Sequence, residues 1–190
     1  MSRGPASAAT RNRTRRASVI ATAVTAAAID LGAKAASESR LADSTVDLGL
    51  IQLRLAYNSG VAFSVGNRLP SWVIVAVTGT LALALVAYAW HRAPRAGWVE
   101  RIAGGAVIGG AVANLVDRAG DGVVTDYLHT GWWPTFNLAD TFIVVGFMVI
   151  ALLQARPESK GDQATDAVPY VRPAASTDTT TDTTTDTKHP

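Results

Sequence analysis

SWVIVAVTGTLALALVAYAW, residues Ser71 to Trp90, holds no charged side chain in 20 positions. At about 1.5 Å of rise per residue, a helix over this run is as long as a bilayer's hydrocarbon core is thick. Three further stretches, Ala17 to Ala36, Trp98 to Val116 and Phe136 to Ala155, have the same character with less purity. The chain reads as an integral membrane protein, mainly α, with four transmembrane helices.

Charge placement orients these spans. Arg3, Arg11, Arg13, Arg15 and Arg16 precede the first span with no acid among them. His91, Arg92 and Arg95 fill the second connection, and Arg156 and Lys160 follow the last span. The positive-inside rule therefore places both termini and the 91–97 loop in the cytoplasm, and 37–70 and 117–135 outside. Trp132 and Trp133, beside Pro134, mark the outer interface, where amphipathic rings prefer to lie. The first stretch also resembles a cleavable signal peptide, with its basic lead and Ala33-Lys34-Ala35. Asp30 and Lys34 argue against that: they stand i,i+4 with the acid first, the favourable order for a helical pair.

Composition narrows the chemistry. The chain has 190 residues, 48% hydrophobic, a formal net charge of +2 and no cysteine. Disulfides, thiolate nucleophiles and iron–sulfur clusters are excluded. His91, His129 and His189 are scattered and fit no zinc-binding spacing. The basic excess belongs to membrane-flanking arginines, so no nucleic-acid partner is expected. Three parts are expected: a basic cytoplasmic segment (1–16), a membrane domain (17–155) and a cytoplasmic tail (156–190). The tail's Thr-Asp repeats have too little apolar surface to fold, so it is expected to be disordered and to play no catalytic part.

Polar groups gather on the outer side. Val46 to Tyr57 partly alternates apolar and polar residues, predicting one or two short strands of a small extracytoplasmic β element. Asn58-Ser59-Gly60 follows as a turn. Asn114, Asp117 and Arg118 share a helical face near the outer end of the third span. Gly120-Asp121-Gly122 should end that helix, and Val123 to Leu128 reads as extended. Asn137 is an N-cap candidate that would put Asp140 at N3 of the fourth helix, where exposed N–H groups favour a carboxylate. Glycines 104, 105, 109 and 110 read as sites of close helix packing, Asp117 as a structural neighbour, and His129 as an exposed loop residue.

Taken singly, Asp126 is a loop carboxylate and Asp140 half of a capping box. Taken with Asn58, Asn114, Arg118 and Asn137 on one membrane face, they form a candidate site. Ionisable groups at a span edge are costly and point to function. Two converging carboxylates resist double ionisation, so one keeps a proton and the pair can do acid–base chemistry. A proton-conducting bundle or small transporter could use the same acids, and a non-catalytic assembly factor is a third reading. The second span offers a relay only Thr78 and Thr80.

Four blocks carry a resemblance: Asp30-Leu-Gly-Ala-Lys34, Asn58-Ser-Gly-Val-Ala-Phe-Ser64, Gly109-Gly-Ala-Val-Ala-Asn114-Leu-Val-Asp117-Arg118, and Val124-Thr-Asp126-Tyr continuing to Phe136-Asn137-Leu-Ala-Asp140. With them the chain resembles the lipoprotein signal peptidases (signal peptidase II), bacterial aspartyl proteases of the cytoplasmic membrane. The resemblance implies a catalytic dyad of Asp126 and Asp140, with Asn58, Asn114, Arg118 and Asn137 lining the site and Asp30 and Lys34 in support. It implies a substrate that is a prolipoprotein cut just before a diacylglyceryl-modified cysteine, with membrane lipids as surroundings and no metal or other cofactor. A monomer is expected, with four spans, a small β-cradle, a short outer helix and an extracytoplasmic active site. Ala113 stands where such sequences commonly carry glycine, Leu31 and Ala33 replace more polar residues, and Val61 stands where alanine is frequent.

Overall fold

The structure, a computed structural model, describes residues 5–59 and 70–155. The Thr-Asp tail and residues 60–64 of the second motif block lie outside the described residues. Among the described residues four helices, α1 (Pro5–Leu41), α2 (Ser71–Arg92), α3 (Trp98–Asp121) and α4 (Leu138–Gln154), and three short strands, β1 (Val46–Asp47), β2 (Gln52–Asn58) and β3 (Val124–His129), follow in the order α1-β1-β2-α2-α3-β3-α4. The short outer helix implied by the resemblance is not seen among the described residues.

Three helices, α1, α2 and α3, are long and apolar enough to cross a membrane, and α4 is a shorter apolar helix of 17 residues. Their outward surfaces are oily: Val24, Leu83, Val144 and Leu152 are all exposed. Such surfaces are stable only against lipid, where every backbone polar group must be satisfied inside a helix. The interior combines small apolar residues with a buried polar cluster. Among the described residues the largest fully buried side chains are Asn137, Thr125, Asp30 and Asp126, all polar.

α1 is longer than the predicted span. It begins within the arginine-rich segment, because Ala and Arg favour helix as strongly as the apolar run does. Residues 5–16 are therefore the first turns of α1. They dock on the end of α2 and the connection after it: an Arg15 Nη donates to the Pro94 carbonyl, and the Arg16 guanidinium stacks 4.5 Å from the Trp90 ring centroid. α4 starts at Leu138, two residues later than the apolar run suggests, because Asn137 is extended and caps it.

α3 is the central helix, packing on α1, α2 and α4. Glycines make this possible. A Cβ on Gly105 or Gly109 would meet α1 backbone at Val19 and Ala23, and one on Gly110 would meet the Ala139 carbonyl of α4. Gly146 of α4 in turn admits Val107 and the Ala103 carbonyl. Gly104 departs from the packing expectation, since its missing side chain faces open space. Small residues gain close backbone approach in lipid, where no hydrophobic force drives helices together.

The strands form one antiparallel sheet in the order β1-β2-β3. α3 stops at Gly122, which adopts φ 90° and returns its N–H to the Arg118 carbonyl. β3 then runs back past β2, with Ala56 opposite Asp126 and Asn58 opposite Val124. A bridge between Leu128 and Phe136 brings the chain back to the start of α4. Gly109→Val should therefore destabilise the α1–α3 contact by about 1–3 kcal/mol, the usual cost of overpacking. Gly104→Ala should leave the thermal midpoint in detergent unchanged, and equal losses in the two variants would refute this packing scheme.

Candidate active site

At one end of the bundle α1, α3, β3 and α4 deliver their polar residues to a single cluster. Lys34 is its only ammonium among the described residues. It is almost wholly buried, with Nζ 2.9 Å from Asp30 Oδ2, 3.0 Å from Asp117 Oδ2 and 2.7 Å from Asn114 Oδ1. The other Asp30 oxygen accepts the Ala139 amide of α4 at 2.8 Å. The i,i+4 pair read from the sequence is thus also a clamp between α1, α3 and α4.

That clamp fixes two carboxamides. Asn114 Oδ1 faces the Lys34 ammonium, so its Nδ2 must point away, and it donates to Asp140 Oδ1 at 2.8 Å. Asn137 is fully buried at the α4 N-cap. Its Oδ1 accepts the Asp140 amide at 3.0 Å, which leaves its Nδ2 to donate to Asp126 Oδ1 at 2.7 Å and to Asn114 Oδ1 at 3.1 Å. The Asp140 carboxylate closes the capping box by accepting the Asn137 amide at 3.4 Å. The predicted N-cap and N3 positions are those observed.

Asp126 comes from the middle of β3, and its neighbours follow from strand register. Asn58 lies two residues from Ala56, the residue opposite Asp126, so the two side chains share one sheet face. Asn58 Nδ2 donates to Asp126 Oδ2 at 3.1 Å. Arg118 reaches the Asn58 carbonyl at 3.2 Å and so holds the end of β2. Burial raises the Asp126 carboxyl to about 6; the Asn58 and Asn137 hydrogen bonds oppose the rise, and the nearby Asp140 charge adds to it. Both candidate acids, and all six supporting residues read from the sequence, belong to one connected network.

Other members of the network were not singled out in the sequence. Thr125 is fully buried on the opposite face of β3 from Asp126. Its amide donates to Asp117 Oδ2 at 2.8 Å, and its hydroxyl to Glu38 Oε1 at 2.9 Å. Glu38 could have been found, since it continues the Asp30, Lys34 spacing along one α1 face. Tyr127 Oη accepts the Leu138 amide at 3.3 Å; burial pushes its phenol up to about 12, so the ring stays neutral. Asp117 plays the structural part assigned to it. His129 does not lie in an exposed loop: it ends β3, half-buried, with Nδ1 3.4 Å from Thr135 Oγ1.

A cleft of about 340 Å3 opens beside the cluster between α2, α3 and α4, and Asn58, Asn114, Arg118 and Asp140 line its polar end. Among the described residues no three His, Cys, Asp or Glu side chains are placed to hold a metal ion. Lys34 fills the space between Asp30 and Asp117.

Two carboxylates joined by one hydrogen-bonded network at the end of a helical membrane bundle are the arrangement a membrane aspartic peptidase requires. A family model described as "Signal peptidase (SPase) II" matches residues 22–156. The chain is 36% identical over 115 residues to the lipoprotein signal peptidase of Syntrophomonas wolfei, a match covering 59% of this chain and 75% of that one. It is 39% identical over 107 residues to that of Sinorhizobium fredii, covering 54% and 64%. A bacterial membrane enzyme whose structure was obtained by the in meso method at 1.9 Å superposes with a TM-score of 0.63, at 20% identity, over 74% of this chain and 94% of its own. A second such structure, at 2.3 Å, gives 0.62 at 23% identity over 76% and 93%. The last two share the fold. The chain belongs to the signal peptidase II family, and it is an aspartic peptidase of that type.

Removing one member of a buried ion cluster leaves the others uncompensated, typically at about 3–5 kcal/mol. Lys34→Met should lower stability by that order in detergent unfolding, and Asp30→Asn added to it should recover part of the loss. A Lys34→Met protein as stable as the parent would show that the clamp contributes nothing.

Proposed function

We propose that this peptidase removes the signal peptide from diacylglyceryl-modified prolipoproteins, cutting the bond before the lipidated cysteine, with Asp126 and Asp140 as its catalytic pair. The observation that carries this reading is the Asn137 carboxamide. It donates to one carboxylate and accepts the backbone N–H of the other, so an element of β3 and an element of α4 are held together as one site. Asn58, Asn114, Arg118, Asp30 and Lys34 are its supports.

The two acids have unlike surroundings, and the proposed chemistry uses the difference. Asp140 takes the Asn114 N–H and lies in the first turn of α4, where free amides favour a negative charge. Asp126 is buried on the sheet, which favours its neutral form. In the proposed cycle Asp140 accepts a proton from water as the oxygen adds to the scissile carbonyl carbon, and Asp126 gives its proton to the carbonyl oxygen. Collapse of the tetrahedral diol breaks the C–N bond. The nitrogen takes the proton from Asp140, and one diol hydroxyl returns a proton to Asp126. The pair titrates as one coupled system.

Polar residues gather at one end of the bundle and the basic ends of α1 and α2 lie at the other, which supports an extracytoplasmic site with cytoplasmic termini. A substrate anchored by its own acyl chains presents the scissile bond at that level, with orientation supplied by the bilayer. A proton relay would need polar groups deep in several spans. Here the middle of α2, between Trp72 and Ala87, offers only the hydroxyls of Thr78 and Thr80, each bonded back to its own helix. A monomer suffices for this reading, since one chain supplies both acids.

Purified protein in detergent or nanodiscs should release the signal peptide from a diacylglyceryl-modified prolipoprotein peptide. Asp126→Asn and Asp140→Asn should each reduce release by about a thousandfold or more while the protein stays inserted and folded. Full activity in either variant would remove the pair mechanism. The pH profile gives a second test. The proton on Asp126 is lost as pH rises through about 6, so turnover should fall on the alkaline side of that value. The Asn58 N–H favours the charged form, so Asn58→Ala should move that limb to higher pH, and a downward shift would contradict the assignment.

A further inference from the structure

Asp140 stands between two clefts. The one already described lies between α2 and α4. On the other side of Asp140 a separate hollow of about 410 Å3 lies between the β3–α4 connection and the first turns of α4. Its walls include Thr130, Trp132, Trp133, Phe136, Val144 and Val145.

The two differ in depth. Leu85 lines both the α2–α4 cleft and a further apolar cavity of about 250 Å3, which reaches Arg92 and Gln154 at the opposite end of the bundle. Together they run the length of α4, roughly 25 Å at 1.5 Å per residue. That length suits an apolar peptide helix. The tryptophan cleft ends at Val145, within two turns of the α4 start. It lies beside a tryptophan pair that is largely exposed, with ring centroids 5.6 Å apart and edge to face. Such rings sit at the headgroup level, where the esters of an acylglycerol lie.

Its chemistry is also selective. Among the described residues no lysine or arginine lines it, and Asp140 is the one charged group in its wall. A phosphate headgroup would find repulsion and no cation there, whereas an uncharged diacylglyceryl thioether would not. Thr130 Oγ1 is buried against this wall and has no hydrogen-bond partner among the described residues. A buried hydroxyl left unpaired costs free energy that an ester carbonyl could offset by accepting its proton.

We propose that the tryptophan cleft is the subsite for the glyceryl ester region and first methylenes of the lipid on the substrate cysteine, while the signal peptide occupies the α2–α4 cleft. This rests on the function proposed above. The bond joining the two parts of such a substrate then crosses Asp140, because Asp140 lines both clefts.

The test uses the full chain in nanodiscs, carrying Asp126→Asn to hold substrate uncut. It is loaded with a diacylglyceryl-modified prolipoprotein peptide bearing a photoreactive diazirine beside one ester. Irradiation should label residues 130–145. Labelling confined to the α2 wall, around Ile74 and Leu81, would overturn the assignment, as would no labelling in either place. Equal labelling of 130–145 by a phosphatidylglycerol with the same diazirine, undiminished by excess substrate, would also overturn it by making the cleft a site for bulk lipid. In the otherwise unaltered enzyme, Val144→Trp should fill the cleft and raise KM about tenfold with kcat little changed and the thermal midpoint preserved. An unchanged KM would count against the subsite. Failure of the parent enzyme to cleave the peptide at all would instead refute the proposed function, so the two failures are told apart.

Discussion

A single buried ammonium organises this molecule. Lys34 sits where three helices meet, and each of its three contacts comes from a different point: Asp30 a turn before it on α1, and Asp117 and Asn114 on α3. Such a group is stable in a membrane protein only when every proton is matched, because an uncompensated ion in low dielectric costs several kcal/mol. The matching here does more than neutralise. It determines which end of the Asn114 carboxamide faces Asp140, and through Asp30 it ties the Ala139 amide, the first turn of α4, to α1. The local geometry of the proposed catalytic pair is therefore inherited from an ion cluster one residue removed from it.

The fold brings this about with little side-chain bulk. Glycines let α3 lie against α1 and α4 at backbone distance, so short side chains such as Asn114 and Asp30 can span the remaining gaps. The sheet works differently. β3 alternates its faces, sending Asp126 toward Asn58 and Asn137 and Thr125 toward Glu38 and Asp117. A strand pinned on both faces can present one carboxylate to the start of a helix with little freedom to drift. Thr125 has its amide, hydroxyl and carbonyl all engaged, the last by Asn137 at 3.5 Å.

Much of this was legible in the chain because its causes are local. The uncharged Ser71–Trp90 run, the Asn137 cap with Asp140 at N3, the helix stop at Gly122 and the Asp30–Lys34 spacing each depend on residues within a few turns of one another. What could not be read depends on distance. The Glu38–Thr125 bond joins residues 87 apart, and the Ala139–Asp30 bond residues 109 apart. No periodicity encodes such contacts. The length of α1 was missed for another reason: hydropathy marks where a helix is oily, and the Arg-rich turns before Ala17 continue the same helix on propensity alone. Gly104 shows the converse, since a glycine pattern names candidates for close approach but not the face that meets a neighbour.

Placing the cation near the pair but not on it has a chemical consequence. Lys34 contacts neither Asp126 nor Asp140 directly; the Asn114 carboxamide stands between Lys34 and Asp140. An ammonium in contact with both carboxylates would favour the doubly ionised pair, leaving no proton to give to a substrate carbonyl. With Asp30 and Asp117 already sharing its charge, Lys34 reaches the pair only weakly, and burial remains the largest influence on Asp126. Neutral amide donors then orient both acids without supplying enough positive charge to strip the last proton. The site can be rigid and still keep the proton its proposed chemistry lends to the substrate and recovers.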